Sequence, residues 1–212
     1  AKAGFSPTEQ SLATLLRNAG YHTGIVGKWH LGDHPKFLPP AHGFDESLVL
    51  PYSNDVWPNG YVPGDVTKNY PALPWLADGV AFGTVKDWTD MDALTTVQGY
   101  RAVRFIRQNA GKGKPFFLYL AHWGVHTPLQ ASKEDYDALP QIKDHRKRVY
   151  GAMIRSVDRS VGRVLQTLRE QGLDDNTLVI FTSDNGGAHY VGLDGLNKPY
   201  RGWKATFFEG GI

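Results

Sequence analysis

The 212-residue chain contains no cysteine, which excludes disulfide bonds and thiolate metal sites. It also lacks any apolar run near the ~20 residues that cross a bilayer, and its first five residues lack the apolar stretch of a signal peptide. The chain has 23 Lys and Arg and 21 Asp and Glu, which give a net charge of +2, and it contains no block of like charge. This balance argues against a nucleic-acid partner. The remaining composition, with 41% apolar residues, is that of a globular chain with a core.

Helical and strand-like patterns alternate along the chain. The predicted elements are a helix that opens with the capping box Ser6-Pro7-Thr8-Glu9, a strand at 21–26, long irregular loops over 35–88, a helix at 91–109, a strand at 114–121, a helix at 149–168 and a strand at 177–182. This alternation predicts an α/β fold in which a mostly parallel sheet is flanked by helices.

Polar side chains follow the predicted strands at their carboxyl ends, which share one edge of a parallel sheet. The candidates are Lys28 and His30 after the first strand, His126 after the second, Asp184 and Asn185 after the third, and Lys204 near the C-terminal end. Taken alone, each has a plain structural interpretation. An Asp-Asn-Gly sequence is a common turn, and lysines or histidines in loops are often solvated or bonded to the backbone. Their joint occurrence favours a functional site.

These residue types suit the binding of a tetrahedral oxyanion ester beside a hard divalent cation. Carboxylate and carboxamide oxygens, as in Asp184 and Asn185, are ligands that calcium and magnesium prefer. The ammonium groups of Lys28 and Lys204 can stabilise charge on nonbridging oxygens as the ester bond breaks. A histidine near the bridging oxygen can protonate the leaving group, and His126 is the candidate for this role.

Five segments of the chain occur in the order of one known family's motifs. They are Gly27-Lys28-Trp29-His30-Leu31-Gly32, preceded by Thr14-Leu15-Leu16 and Gly20-Tyr21; Pro51-Tyr52-Ser53-Asn54-Asp55; Pro115-Phe116-Phe117-Leu118-Tyr119 with His126-Thr127-Pro128; Leu178-Val179-Ile180-Phe181-Thr182-Ser183-Asp184-Asn185-Gly186; and Gly202-Trp203-Lys204-Ala205-Thr206-Phe207-Phe208-Glu209-Gly210-Gly211. Together they resemble the type I sulfatases, a family of the alkaline-phosphatase-like superfamily.

The resemblance implies that residues 1–212 are part of a sulfatase catalytic domain with an alkaline-phosphatase-like fold. It implies that Asp184 and Asn185 bind calcium, with magnesium less favoured. It also implies contacts with the sulfate group or the activated nucleophile from Lys28, Ser53, His126 and Lys204. In the family, the nucleophile is the hydrate of formylglycine, made from a cysteine, and a histidine acts as the base that helps the sulfated intermediate to collapse. His30 matches that histidine.

The chain departs from the family pattern at both ends. The Cys-x-Pro-Ser-Arg segment that yields formylglycine and the Asp-Asp pair that completes the metal shell are absent, and both are expected before Ala1. The last part of the domain is expected after Ile212. We therefore expect a fragment that is inactive alone and has the remainder of a sulfatase polypeptide as its partner.

Two other functions stay open. One is a phosphodiesterase or phosphonate hydrolase of the same superfamily, which a second cluster of Asp and His ligands would favour. The other is an inactive homologue that binds sulfated glycans. The expected ligand is a sulfated small molecule or carbohydrate, and neither nucleic acid nor a membrane span is expected. The residues leave the compartment open, while the resemblance suggests a periplasmic, secreted or lysosomal location.

Overall fold

The computed structural model describes residues 4–58 and 70–212. Within these ranges the helices are α1 (Leu12–Asn18), α2 (Trp88–Asn109), α3 (Lys133–Asp137) and α4 (His145–Glu170), and the strands are β1 (His22–Lys28), β2 (Glu46–Leu50), β3 (Leu73–Ala77), β4 (Val80–Val85) and β5 (Phe116–Ala121). Short 3-10 helices span Pro35–Phe37, Pro39–His42, Asp174–Asn176 and His189–Val191.

The described strands form one mixed sheet in the order β4-β3-β2-β1-β5. Strand β1 pairs in parallel with β2 on one side and with β5 on the other. Strands β3 and β4 form an antiparallel hairpin that extends the sheet beyond β2. Because β1, β2 and β5 run in the same direction, their carboxyl ends at Lys28, Leu50 and Ala121 lie on one edge. The α/β class with flanking helices is confirmed.

Two apolar clusters form the core. Ile25, Trp29 and Val49 belong to one, and Leu50 and Trp123 belong to the other. Since consecutive strand residues point to opposite faces, the assignment of residues 49 and 50 to different clusters places a cluster on each face of the sheet. Full burial of one such side chain contributes about 1.5–3 kcal/mol relative to exposure. The parallel strands are thus covered by apolar side chains on both faces.

Helix α4 supports the loop that follows β5. Gly99 of α2 lies against α4 so closely that an added Cβ would be 2.3 Å from the Ser160 Oγ. At Gly124 in the loop after β5, an added Cβ would be 2.7 Å from the Val157 Cγ2. These close approaches fix the loop that carries His126.

The first helix begins later than the capping-box sequence predicts. The Ser6 Oγ accepts the backbone N–H of Thr8 at 3.3 Å and forms a turn. The cap of α1 is Ser11, whose Oγ accepts the N–H of Thr14 at 2.9 Å and donates to the His42 carbonyl at 2.6 Å. The prediction is wrong because a bond to a distant residue helps to select Ser11, and no local pattern reveals it.

The prediction of irregular loops over 35–88 is also wrong, because β2, β3 and β4 lie in that region. Asp78 and Gly79 join β3 to β4, with φ values of 50° and 83°. An Asp-Gly pair between two apolar runs is a hairpin signal. Pro71 and Pro74, which lie shortly before this pair, make the hairpin signal hard to recognise in the sequence.

The strand predicted at 177–182 is not found. The side chains of Leu178, Ile180 and Phe181 are 86%, 77% and 77% exposed, and the segment pairs with no strand of the described residues. Its composition suits a strand, but strand formation also requires a neighbour to accept its backbone hydrogen bonds. The third parallel strand of the sheet is β2 instead.

Candidate active site

A close approach of β1 and β5 presents Lys28. Gly27 has a φ of 126°, and a Cβ added there would lie 1.9 Å from the Ala121 carbonyl oxygen. Only glycine combines this φ with this proximity. Lys28 follows at the end of β1, the strand between β2 and β5, and is half-buried.

His30 is held beside the turn that follows β2. The N–H of Trp29 donates to the Leu50 carbonyl and the N–H of His30 to the Pro51 carbonyl, both at 3.1 Å, so the β1–β2 pairing continues past the strands. The buried Trp29 indole donates to the Phe37 carbonyl at 2.7 Å. His30 has a φ of 57°, which is unusual for a non-glycine residue and marks a constrained position.

Ser53 lies inside the turn after β2. Its side chain is 4% exposed, and its buried Oγ has no hydrogen-bond partner among the described residues. The turn is fixed by the bond from the Val56 N–H to the Ser53 carbonyl at 3.0 Å, and by the buried Trp57 indole, which donates to the Val85 carbonyl at 2.9 Å. A hydroxyl held in this way can donate to an anion that enters the site.

His126 and Lys204 form a direct contact. The Nδ1 of His126 lies 3.0 Å from the Thr127 carbonyl, which assigns the proton to Nδ1 and the lone pair to Nε2. The Lys204 Nζ is 3.3 Å from that Nε2 and donates to it. The Lys204 N–H donates to the Gly187 carbonyl at 3.2 Å. The C-terminal segment thereby meets the loop after β5.

Asp184 and Asn185 carry oxygen atoms that could bind a cation, and they lie shortly before Gly187, whose carbonyl accepts the N–H of Lys204. The amide nitrogen of Asn185 donates to the Gly186 carbonyl at 2.9 Å, which leaves the amide oxygen as the possible ligand. These oxygens fit a hard cation, but calcium takes six to eight ligands. The described residues contain no group of three or more His, Cys, Asp or Glu that could hold a metal. The two residues would therefore supply only part of the ligand shell that calcium requires.

Burial and positive charge govern the ionisation of the site. Burial, followed by the charge of Lys204, lowers the pKa of Lys28, and the carboxylates of Asp184 and Asp55 oppose this. Burial also lowers the pKa of His126, and Lys28 and Lys204 add to the effect. The imidazole of His126 is therefore neutral at pH 7.

His30 titrates in the same field although much of its side chain is exposed. Desolvation of the part that faces the site lowers its pKa, followed by the charge of Lys28; His126 and Lys204 act in the same direction and Asp55 against it. The structure therefore brings the predicted lysines, histidines and Asp184 into one electrostatic cluster. Their catalytic and ligand roles stay predictions.

The family model described as Sulfatase matches residues 3–209 of the chain. The chain belongs to the sulfatase family. Human N-acetylgalactosamine-6-sulfatase is 37% identical over 220 residues, which cover 99% of this chain and 39% of the relative. Arylsulfatase G of Mus musculus is 33% identical and is matched over 43% of its length.

Two solved structures share the fold. Ps i-CgsB in complex with k-i-k-neocarrahexaose superposes with a TM-score of 0.84 at 33% identity, covering 100% of this chain and 47% of that one. The PsFucS1 sulfatase from Pseudoalteromonas sp. gives a TM-score of 0.75 at 28% identity, covering 96% of this chain and 43% of that one. The chain thus spans less than half the length of these relatives.

No described helix combines the length and hydropathy needed to cross a bilayer.

Two further residues of this sulfatase chain bear on the site. Asp55 lies in the same motif as Ser53 but received no predicted role, although a carboxylate two residues from a candidate ligand is a usable signal. His122 follows β5, but its Nδ1 bonds the Gln98 Oε1 at 2.9 Å and burial lowers its pKa to about 4. His122 is therefore a neutral core histidine.

Proposed function

We propose that this chain supplies the sulfate-binding and proton-transfer part of an active site that hydrolyses sulfate esters. The observation that carries the proposal is the cluster of Lys28, His126 and Lys204 at the carboxyl edge of the parallel strands, in a chain of the sulfatase family. A tetrahedral anion fits such a cluster because its charge is spread over several oxygens.

The two lysines bind and polarise the sulfate group. Lys28 is half-buried, so its charge acts on the ester oxygens with less screening by water than an exposed lysine. Lys204 approaches from the C-terminal segment and Ser53 from the turn after β2. Contacts from three segments fix the orientation of the ester and strengthen as charge develops on its oxygens.

His126 is the proposed proton donor for the leaving oxygen. In the absence of an anion it is neutral, and its Nε2 accepts a hydrogen bond from Lys204. A bound sulfate ester brings negative charge beside the ring, which raises its pKa and favours protonation at Nε2. His126 can then pass this proton to the departing alcohol. His30, at the solvent side, is the proposed base.

Calcium is the proposed ion at Asp184 and Asn185, with magnesium the weaker candidate because it demands a near-ideal octahedral shell. A cation bound there would polarise the sulfate oxygens. Formylglycine is the proposed nucleophile. Because the chain has no cysteine, that group must come from sequence outside it.

Sulfated carbohydrate is the proposed substrate class. Two relatives support it by their names: one is an N-acetylgalactosamine-6-sulfatase, and the other was solved with an oligosaccharide. The alternative phosphate chemistry has no such support, since the named relatives cited above are sulfatases.

The test is a release assay on the longest polypeptide that contains this chain, with this chain alone assayed beside it. Aryl sulfate, sulfated oligosaccharides and phosphodiesters are offered as substrates, with and without a chelator followed by added Ca2+. We expect sulfate release by the longer polypeptide, loss with the chelator, recovery with Ca2+ and no turnover by this chain alone. Faster phosphodiester cleavage would contradict the proposal, and calorimetric binding of the oligosaccharide without cleavage would indicate an inactive homologue.

A further inference from the structure

Three consecutive side chains in the turn after β2 hold buried oxygen atoms with no hydrogen-bond partner among the described residues. They are the Ser53 Oγ, the Asn54 Oδ1 and the Asp55 Oδ1. Ser53 already has a proposed contact with the sulfate group. Asp55 is the charged member, and a buried carboxylate oxygen without a partner is costly unless nearby charge compensates it.

The turn holds Asp55 in a fixed position. On one side, the Val56 N–H bonds the Ser53 carbonyl, and the buried Trp57 anchors the chain to the Val85 carbonyl. On the other, the Pro51 carbonyl accepts the N–H of His30, which ties the turn to the end of β1. The backbone that carries Asp55 is therefore tied to the segment of Lys28 and His30.

The charge of Asp55 acts on several members of the site at once. It raises the pKa of Lys28, His30 and His126 against the lowering effect of their burial. Among the described residues, Asp184 is the other carboxylate whose charge acts on Lys28, and it also raises the Lys28 pKa. If Asp184 ligates a cation, its charge is shared with that ion. Asp55 then remains to balance the lysines.

We propose that Asp55 is a positioning residue, whose buried carboxylate, in the turn tied to the end of β1, is the resident counter-charge to Lys28 and to the protonated forms of His30 and His126. It does not touch the reacting atoms. The assignment rests on the proposed function only where Lys28 and His126 are taken to act on a sulfate ester. The electrostatic relation itself holds without any substrate.

The first test is therefore a titration without substrate. Histidine ring signals are followed by NMR against pH in the wild-type chain and in Asp55→Asn, with His30→Gln and His126→Gln to assign them. The loss of a negative charge favours the neutral imidazole, so we expect the pKa of His126 and of His30 to fall in Asp55→Asn. Asp55→Glu should restore most of the difference.

Asp175→Asn is the matched control. It makes the same charge change at an exposed position beyond the C-terminal end of α4, in the helix Asp174–Asn176. It should leave both histidine pKa values unchanged. The inference is overturned if a folded Asp55→Asn titrates like the wild type, or if Asp175→Asn gives an equal shift. Asp55→Ala provides the same readout should Asp55→Asn fail to fold.

The second test separates this inference from the proposed function. In an active longer polypeptide, Asp55→Asn should lower kcat roughly 10- to 100-fold, as changes to supporting residues do, with a smaller change in KM. The alkaline limb of the pH profile of kcat should move to lower pH in Asp55→Asn, because Lys28 then loses its proton at a lower pH. A titration shift without any sulfatase activity would sustain the role of Asp55 and refute the proposed function. Sulfatase activity without a titration shift would support the proposed function and refute the role of Asp55.

Discussion

At the scale of single residues, the contact between Lys204 and His126 controls which atom of the site holds a proton. The ammonium group lies 3.3 Å from the Nε2 of His126 and donates to its lone pair. Protonation of that nitrogen must therefore displace a hydrogen bond and overcome a repulsive charge. In the proposed mechanism, an anion bound between the two residues would remove both obstacles, so that substrate binding would prepare His126 to act as the acid.

The Lys204→Met substitution tests whether Lys204 governs the protonation of His126. It removes the positive charge and the competing donor, so we expect the pKa of His126 to rise. The measurement is the NMR titration of the His126 ring signals. Lys198→Met, an exposed lysine of the same C-terminal segment, is the control and should leave the value unchanged. A fall, or no change, in Lys204→Met would contradict the assigned geometry.

At the scale of elements, the packing of α2 on α4 places the loop that carries His126. Gly99 of α2 and Gly162 of α4 both lie inside helices, yet their surroundings differ. A Cβ at Gly99 would be 2.3 Å from the Ser160 Oγ, whereas at Gly162 nothing lies within 4 Å. Helix propensity favours alanine at both positions. Only the packing distinguishes them.

The matched pair Gly99→Ala and Gly162→Ala follows from this difference. We expect Gly162→Ala to stabilise the chain by about 0.5–1 kcal/mol. Gly99→Ala should destabilise it by roughly 1–3 kcal/mol, as overpacking does. Urea denaturation at pH 7 measures both free energies of unfolding. Equal stabilisation by the two alanines would show that the helices are not packed at Gly99.

A buried ion pair joins α3 to α4. Arg159 binds both carboxylate oxygens of Asp135 at 2.6 and 2.7 Å, and the Asp135 side chain is 1% exposed. The hydrogen bonds from Arg159 lower the pKa of Asp135. Because the folded pKa is the lower one, the pair stabilises the fold above the unfolded pKa, and this contribution is lost as pH falls through the folded pKa.

Arg159→Met should therefore destabilise the fold at pH 7 by up to about 3–5 kcal/mol. It leaves the buried Asp135 carboxylate with only the Ser132 hydroxyl at 2.9 Å and the more distant Arg155 guanidinium at 3.5 Å. The cost should shrink as pH falls below about 4, because a protonated Asp135 needs no partner. Urea denaturation across this range is the measurement. Lys133→Met, which removes the exposed pair with Asp137, is the control and should cost less than about 1 kcal/mol. A cost independent of pH would refute the ion-pair account.

Sequence patterns predicted the elements whose signal is local. Helices α2 and α4 and strands β1 and β5 have periodic or continuous apolar runs and lie close to their predicted positions. The start of α1 was misplaced because Ser11 is selected partly by a bond to the distant His42. The segment 177–182 was misassigned because composition cannot show whether a strand has a neighbour.

At the scale of the whole molecule, the site depends on segments that are distant in the chain. The convergence of Lys28 and His126 was predictable, because parallel strands end on one edge. The contact of Lys204 with His126 was not, since it depends on an irregular C-terminal segment, and only the family motif suggested it. The effect of Asp55 on the pKa values of Lys28, His30 and His126 depends on the distances between these groups. No sequence pattern contains those distances.

The measurement that tests the central claim most directly is sulfate release by the longest polypeptide that contains this chain, compared between Lys28→Ala and Lys114→Ala. Both remove a lysine beside a strand of the same sheet, but Lys114 is exposed and precedes β5 at the opposite edge. Lys28→Ala should lower kcat roughly 100- to 1,000-fold with an unchanged unfolding temperature, and Lys114→Ala should turn over like the wild type. A wild-type rate in Lys28→Ala would contradict the account.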